Sequence, residues 1–130
     1  MKLIVVSGGF DPLHSGHIAY FKSAKNYGEK LIVALNSDKW LEKKKGKFFM
    51  SYDERKAIVS SIKYVDEVIG FKDDIKGSCI NALEDIKKIY PNDDIFFANG
   101  GDRDRKNIPE LSVSGVNFLY SVGGDNKKNS

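Results

Sequence analysis

The feature that most constrains the fold of this chain is an alternation. Short, unbroken aliphatic runs are separated by segments whose apolar residues recur at helical spacing. Lys2-Leu3-Ile4-Val5-Val6 is closed by Ser7-Gly8-Gly9, and Lys30-Leu31-Ile32-Val33-Ala34-Leu35 by Asn36-Ser37-Asp38. A continuous run of this kind has no polar face to turn to water, so it reads as a strand buried on both sides. Val65 to Phe71, Asp94 to Ala98 and Val116 to Val122 supply further strand candidates, for five in all. Between the first two runs, Gly16 to Tyr27 places Ile18, Phe21 and Ala24 on one helical face and meets Gly28 as its stop. A second helix is expected from Ser51-Tyr52-Asp53-Glu54, a capping-box pattern, through Ile58 and Ile62. Ser78 to Tyr90 repeats Ile80, Leu83, Ile86 and Ile89 before Pro91, while Pro109 to Leu111 offers only a short turn.

Alternating strands and helices require a parallel sheet covered on both faces and joined by right-handed crossovers. The expected fold is therefore α/β: a Rossmann-like, doubly wound, five-stranded parallel sheet forming a single domain across the 130 residues. Ligands of such sheets sit beyond the carboxyl ends of the strands, where strand order reverses, which directs attention to the loops after the first and fourth strands. No apolar run approaches the ~20 residues of a membrane span, and Met1-Lys2 leads into a short apolar segment rather than a signal peptide. The expectation is a cytoplasmic protein without a membrane partner. Cys79 is the only cysteine, so no intrachain disulfide or cysteine-rich metal site can form, and a buried or inert thiol is expected. The net charge of +3 is modest, and its surplus is local, in Glu42-Lys43-Lys44-Lys45-Gly46-Lys47 and Lys127-Lys128. Such a run is either a solvated loop or a site for a polyanion, according to where it falls. No basic stripe interleaved with aromatics accompanies it, so no nucleic-acid partner is expected.

The loop after the first strand reads Gly8-Gly9-Phe10-Asp11-Pro12-Leu13-His14-Ser15-Gly16-His17 and brings both histidines of the chain to the start of the first helix. Glycines admit close approach of an anion, N–H groups at a helix start bind phosphate oxygens, and imidazoles add donors. Phosphoryl and nucleotidyl transfer asks mainly for positioned reactants and neutralised charge, which such a loop is equipped to provide. Either a lone histidine or a glycine turn would be a weak signal; their conjunction on this loop is not. A zinc site lacks third and fourth ligands apart from Asp11. The loop carries neither the G-x-G-x-x-G spacing of dinucleotide folds nor the G-K-[ST] of a P-loop. Asp11 could orient His17, approach a magnesium-bound phosphate, or cap the loop by accepting backbone hydrogen bonds. Arg55 is either an ion-pair partner fixing the second helix or an indirect support of the acceptor site.

Gly9-Phe10-Asp11 followed by His14-Ser15-Gly16-His17 resembles the HxGH signature of the cytidylyltransferase-like nucleotidyltransferases. Ser51-Tyr52-Asp53-Glu54-Arg55-Lys56 and Tyr64-Val65-Asp66-Glu67-Val68-Ile69 are similar to the corresponding segments of bacterial glycerol-3-phosphate cytidylyltransferases. The resemblance runs from Lys2 to Phe71; beyond it, Asn99-Gly100-Gly101-Asp102 resembles the family's loop bordering the base. It implies an enzyme that transfers a nucleoside monophosphate, CMP from CTP, to a small phosphorylated acceptor such as glycerol 3-phosphate, releasing pyrophosphate. His14 and His17 would stabilise the α-phosphate and the departing pyrophosphate. Lys44 would bridge acceptor and triphosphate, with Lys45 and Lys47 as neighbours and Arg55 on the acceptor side. Gly9, Phe10, Asp11, Ser15, Gly16, Gly101 and Asp102 would hold the nucleotide. Mg2+ would arrive with the triphosphate, and the protein would be a homodimer.

Two departures from the family pattern qualify the substrates. Where cytidylyltransferases carry Arg-Thr-x-Gly-Ile-Ser-Thr-Thr at a helix start, this chain ends Ser121-Val122-Gly123-Gly124-Asp125-Asn126-Lys127-Lys128-Asn129-Ser130. The expectation is a variant phosphate grip made by Lys127 and Ser130, with a final helix lacking. Asp102 to Glu110 instead resembles members that activate sugar phosphates, which gives an adenylyltransferase acting on a heptose phosphate as an alternative. A non-catalytic nucleotide-binding module is the other.

Overall fold

The computed structural model describes residues 1–98, 110, 113–120 and 122. Five strands, β1 (Lys2–Gly8), β2 (Lys30–Leu35), β3 (Glu67–Ile69), β4 (Asp94–Ala98) and β5 (Val116–Leu119), form one sheet in the order β3-β2-β1-β4-β5. Every adjacent pair is parallel. The order runs outward in both directions from β1, so the reversal lies between β1 and β4, at the end of the first loop.

Helices α1 (Ser15–Lys25) and α3 (Tyr52–Ser60) cover one face of the sheet, and α4 (Ile80–Ile89) covers the other. Successive residues of β1 supply both cores. Leu3 and Val5 join Ile32, Phe97, Leu83 and Ile86, while Ile4 and Val6 join Leu31, Val33, Phe21 and Val59. This two-sided burial is why the strand sequence is continuously apolar. Cys79 is buried in the α4 core. Ile18 and Ile89, each placed by periodicity on a buried face, instead lie at the ends of their stripes and are exposed.

The third strand is shorter than the expected Val65 to Phe71. Val65 N–H closes a turn on the Ile62 carbonyl, and the Asp66 carboxylate accepts from Leu31 N–H at 2.7 Å. Pairing with β2 therefore begins only at Glu67. The fifth strand likewise ends at Leu119 rather than Val122. Of the short turn placed over Pro109 to Leu111, only Glu110 is described; it is buried and accepts a 2.8 Å hydrogen bond from Cys79 N–H, at the start of α4.

One element was not anticipated. The basic segment read as a loop is helix α2 (Asp38–Lys45). Ser37 caps its start, with Oγ accepting from Trp40 N–H at 3.1 Å, and Asp38 lies in the first turn. Lys43, Lys44 and Lys45 lie in the last turn, where the helix dipole favours positive charge, and Gly46 takes the left-handed φ of 83° that ends it. Its length and lack of a clear apolar stripe hid it, although the Ser37 and Gly46 punctuation was present in the sequence.

Candidate active site

The first loop and α1 meet at a reciprocal pair of imidazoles. His14 is the N-cap residue, in extended backbone, and its Nδ1 accepts from Gly16 N–H at 3.1 Å. His17, one turn on, accepts from His14 N–H through its own Nδ1, also at 3.1 Å. The pattern is that of a capping box, with imidazole nitrogens replacing the usual hydroxyl and carboxylate. Its chemical consequence is a fixed tautomer. Each ring uses Nδ1 as an acceptor, so in the neutral form each carries its proton on Nε2. The rings stack with centroids 3.9 Å apart. Burial, together with the neighbouring His14, holds the His17 pKa down to about 4. His17 is thus a neutral Nε2–H donor at ordinary pH. His14 Nε2 is buried and has no hydrogen-bond partner among the described residues. An orphaned buried donor is costly unless something accepts from it.

Phe10 braces the pair. It is buried, with φ of 51°, and packs edge-on against His17 at 5.0 Å and Phe21 at 5.1 Å. Its ring therefore serves as a wall of the imidazole pair and as core. Gly9 is favoured by packing, since a Cβ there would lie 2.6 Å from Leu41 Cδ2 of α2. Gly16 N–H, which sequence reasoning offered to a phosphate, is taken by His14, as the His17 N–H is by the His14 carbonyl at 3.0 Å. Donor capacity at this helix start has passed from those amides to the imidazole Nε2–H groups. Ser15 is exposed in the first turn of the same helix.

Arg55, from α3, locks the carboxyl ends of the central strands together. Its side chain is fully buried, and Nη1 donates to the carbonyls of Gly9 at 3.0 Å and Asn36 at 2.7 Å. Nε donates to the Met50 carbonyl at 3.0 Å, and Nη2 pairs with Asp38 at 2.7 Å. Arg55 is thus the ion-pair partner that ties α3 to the start of α2. Asp11, also buried, spends its carboxylate on Phe49 N–H and on Met50 N–H, the latter at 2.7 Å. This is the loop-capping geometry among the alternatives for Asp11. The hydrogen bonds of that carboxylate go to these amides rather than to His17, and among the described residues no group of three or more His, Cys, Asp or Glu could hold a metal ion.

Lys45 of α2 reaches the same loop. Lys45 Nζ donates to the Asp11 carbonyl at 2.6 Å, and Lys44 Nζ stands 4.7 Å from the centroid of the Trp40 ring. Lys44 therefore projects from a helix rather than from a loop, and Lys47 lies just past the Gly46 stop. Across the switch point, Tyr20 of α1 donates to the Ala98 carbonyl at the end of β4 at 2.6 Å. Gly101, Asp102, Lys127 and Ser130 lie outside the described residues. Trp40 and Asp38 were missed by sequence reasoning because their contacts depend on α2 being helical.

A parallel sheet that opens at its switch point onto a helix capped by paired imidazoles defines an α/β domain of the HxGH type. The chain belongs to the cytidylyltransferase-like family, whose model matches residues 5–113. It is similar to the bifunctional protein HldE of Blochmanniella floridana, with 38% identity over 124 residues, covering 94% of this chain and 23% of that protein. It is also similar to the glycerol-3-phosphate cytidylyltransferase of Bacillus subtilis (strain 168), with 45% identity over 69 residues, covering 53% of this chain and 54% of that protein. This chain thus corresponds to only part of either relative's length. Among solved structures, the lipopolysaccharide core biosynthesis protein from Thermoplasma volcanium GSS1 superposes with a TM-score of 0.71 at 25% identity, covering 99% of both chains.

Proposed function

We propose that this chain is a nucleotidyltransferase that transfers CMP from CTP to a small phosphorylated acceptor such as glycerol 3-phosphate. The observation that carries this reading is the pair of imidazoles locked by their Nδ1 atoms, which leaves Nε2 of each as the outward nitrogen, with His14 Nε2 buried without a partner among the described residues. Phosphate oxygens are the acceptors such donors fit, at a helix start whose dipole favours anions. In the reaction an acceptor phosphate oxygen attacks the α-phosphorus in line, the bond from that phosphorus to the bridging oxygen breaks, and pyrophosphate departs. His14 and His17 stabilise charge on the α-phosphate and leaving group without gaining or losing a proton. Lys44 bridges acceptor and triphosphate, and Lys45, Arg55 and Asp11 hold the loop that carries the histidines. Gly9, Phe10, Ser15 and Gly16 form the nucleotide's first loop, completed by Gly101 and Asp102 at the base and by Lys127 and Ser130 at the phosphates.

Mg2+ carried with the triphosphate would supply further neutralisation of phosphate charge. Asp11, the nearest carboxylate of the loop, has both oxygens engaged by backbone N–H groups, so the metal's protein ligands are not built from it. The protein acts in the cytoplasm as a homodimer, a reading supported by the family resemblance. No described helix is long and apolar enough to cross a membrane.

A second reading, adenylyl transfer to a sugar phosphate such as a heptose phosphate, is favoured by the extent of the likenesses. Similarity to HldE spans 124 residues against 69 for the cytidylyltransferase, and the superposed solved structure is a lipopolysaccharide core biosynthesis protein. Incubation with each of the four nucleoside triphosphates, Mg2+ and a panel of phosphorylated acceptors, with pyrophosphate as the readout, separates the readings. CTP with glycerol 3-phosphate is the expected productive pair. Preference for ATP with a sugar phosphate selects the second reading. Nucleotide binding without pyrophosphate release from any pair would leave a binding module.

A further inference from the structure

We infer that Trp40 is a positioning residue that holds the Lys44 ammonium beside the first loop without neutralising it. The inference rests on the role of Lys44 given under Proposed function. Trp40 and Lys44 are one turn apart in α2, so their side chains share a face, and the ammonium lies 4.7 Å from the ring centroid. The ring itself is fixed at two edges. Its Nε1–H donates to the Gly77 carbonyl at 2.8 Å, in the loop after β3. Its Cζ3 lies 3.4 Å from where a Cβ would stand on Gly9, in the first loop. Trp40 is thus a wedge between two loops at the carboxyl edge of the sheet, and Lys44 rests on it.

The kind of partner matters. Among the described residues Lys44 forms no ion pair with a carboxylate. A carboxylate would immobilise the lysine and cancel its charge together. An aromatic face attracts the cation through its quadrupole, restrains a flexible side chain, and leaves the full positive charge for an anion that approaches. The restrained lysine then loses less side-chain freedom when a phosphate binds.

Trp40 is the only tryptophan of the chain, so its emission reads this contact directly. Addition of inorganic pyrophosphate to the intact protein should change Trp40 emission as the ammonium moves toward the anion, and Lys44→Met should abolish that response while altering emission in buffer alone. Unchanged emission in either measurement overturns the inference, and both measurements are independent of turnover. In the transferase assay, Trp40→Leu should raise the KM for the phosphorylated acceptor about fivefold with kcat within about twofold, the scale of a partly exposed cation–π contact. Trp40→Phe keeps a ring without the indole N–H and should recover most of that loss. In the Lys44→Met background, Trp40→Leu should have no further effect on KM. An equal penalty in both backgrounds, or no recovery by phenylalanine, means that Trp40 merely packs and overturns the positioning role. Absence of turnover with every substrate pair would count against the transferase reading, while the pyrophosphate response still decides this one.

Discussion

Cationic groups at the two edges of the sheet meet opposite kinds of partner. At the amino edge, Lys25 pairs with Asp66, Lys30 lies 3.0 Å from Glu67 and bonds Tyr90, and the chain's amino group pairs with Asp93 at 3.1 Å. At the carboxyl edge, Lys45 donates to a backbone carbonyl, Lys44 rests on an indole, and Arg55 meets three carbonyls with Asp38 as its only described carboxylate partner. One edge pairs its cations with carboxylates; at the other, among the described residues, Arg55 alone is so paired, while Lys44 and Lys45 are oriented by an indole and a carbonyl and keep their charge. The carboxyl edge carries a field suited to a polyanion. The same contrast appears in the ionisation of the groups. Burial would raise the carboxyl of Asp66, but the bonds from Lys25 and Leu31 N–H draw it below its usual value. At the other edge burial acts on His17 unopposed and strips it of its proton.

The largest expected effect comes from removing a donor at the carboxyl edge. His17→Ala or His14→Ala should lower kcat/KM by about 10²–10³-fold, the scale for losing one preorganised donor, with far-ultraviolet circular dichroism unchanged. Pyrophosphate release at the wild-type rate in a clean His17→Ala preparation would sink the mechanism.

Arg55→Met tests whether the carboxyl edge is also held together by its cation. It leaves Asp38 and the buried Gly9 and Asn36 carbonyls without their donor, and should cost about 3 kcal/mol in urea denaturation. A loss below ~1 kcal/mol would mean that the guanidinium is dispensable to the fold.

Asp66→Asn probes the amino edge, where the lost partners are part-exposed. About 1 kcal/mol of stability should disappear and turnover should be unaffected. A selective drop in turnover would show that the two edges are not independent.

The remaining effect is in pH. Because the His17 pKa lies near 4 in the folded protein and near 6.5 when unfolded, the unfolded chain takes up a proton between those values that the native state refuses. Its contribution is therefore absent above pH 6.5 and destabilising as pH falls toward 4. The urea midpoint should slope downward across that window, less so in His17→Gln, and an NMR titration should place the His17 imidazole midpoint near 4 with Nε2 protonated above it. A midpoint near 6.5 would refute the burial. At lower pH the amino edge takes over, as protonation of Asp66 and Glu67, both drawn below their usual values, removes the stability those carboxylates supply.

The strands and the chemistry of the first loop were legible because both depend on local sequence. Apolar runs of β1 and β2 have only one way to avoid water, and the alternation with helices leaves a parallel sheet. The histidine spacing likewise places both rings on one helical turn. Helix α2 was not legible as such, since only Leu41 is buried along it and its lysines resemble a solvated loop. Lys44 could thus be picked out from a motif, while the ring that holds it could not.

What the sequence by itself determined is the α/β alternation, the histidine-bearing loop after β1 as the candidate site, and the family to which the chain belongs. Only the tertiary structure decided what each polar group there is engaged in. Asp11 faces backbone amides 38 and 39 positions away, and Arg55 reaches carbonyls just past the ends of two separate strands. Such partners are brought together by chain folding, and no local pattern encodes them. The tautomer of the histidine pair is local by contrast, set by backbone donors two and three residues away at the helix start.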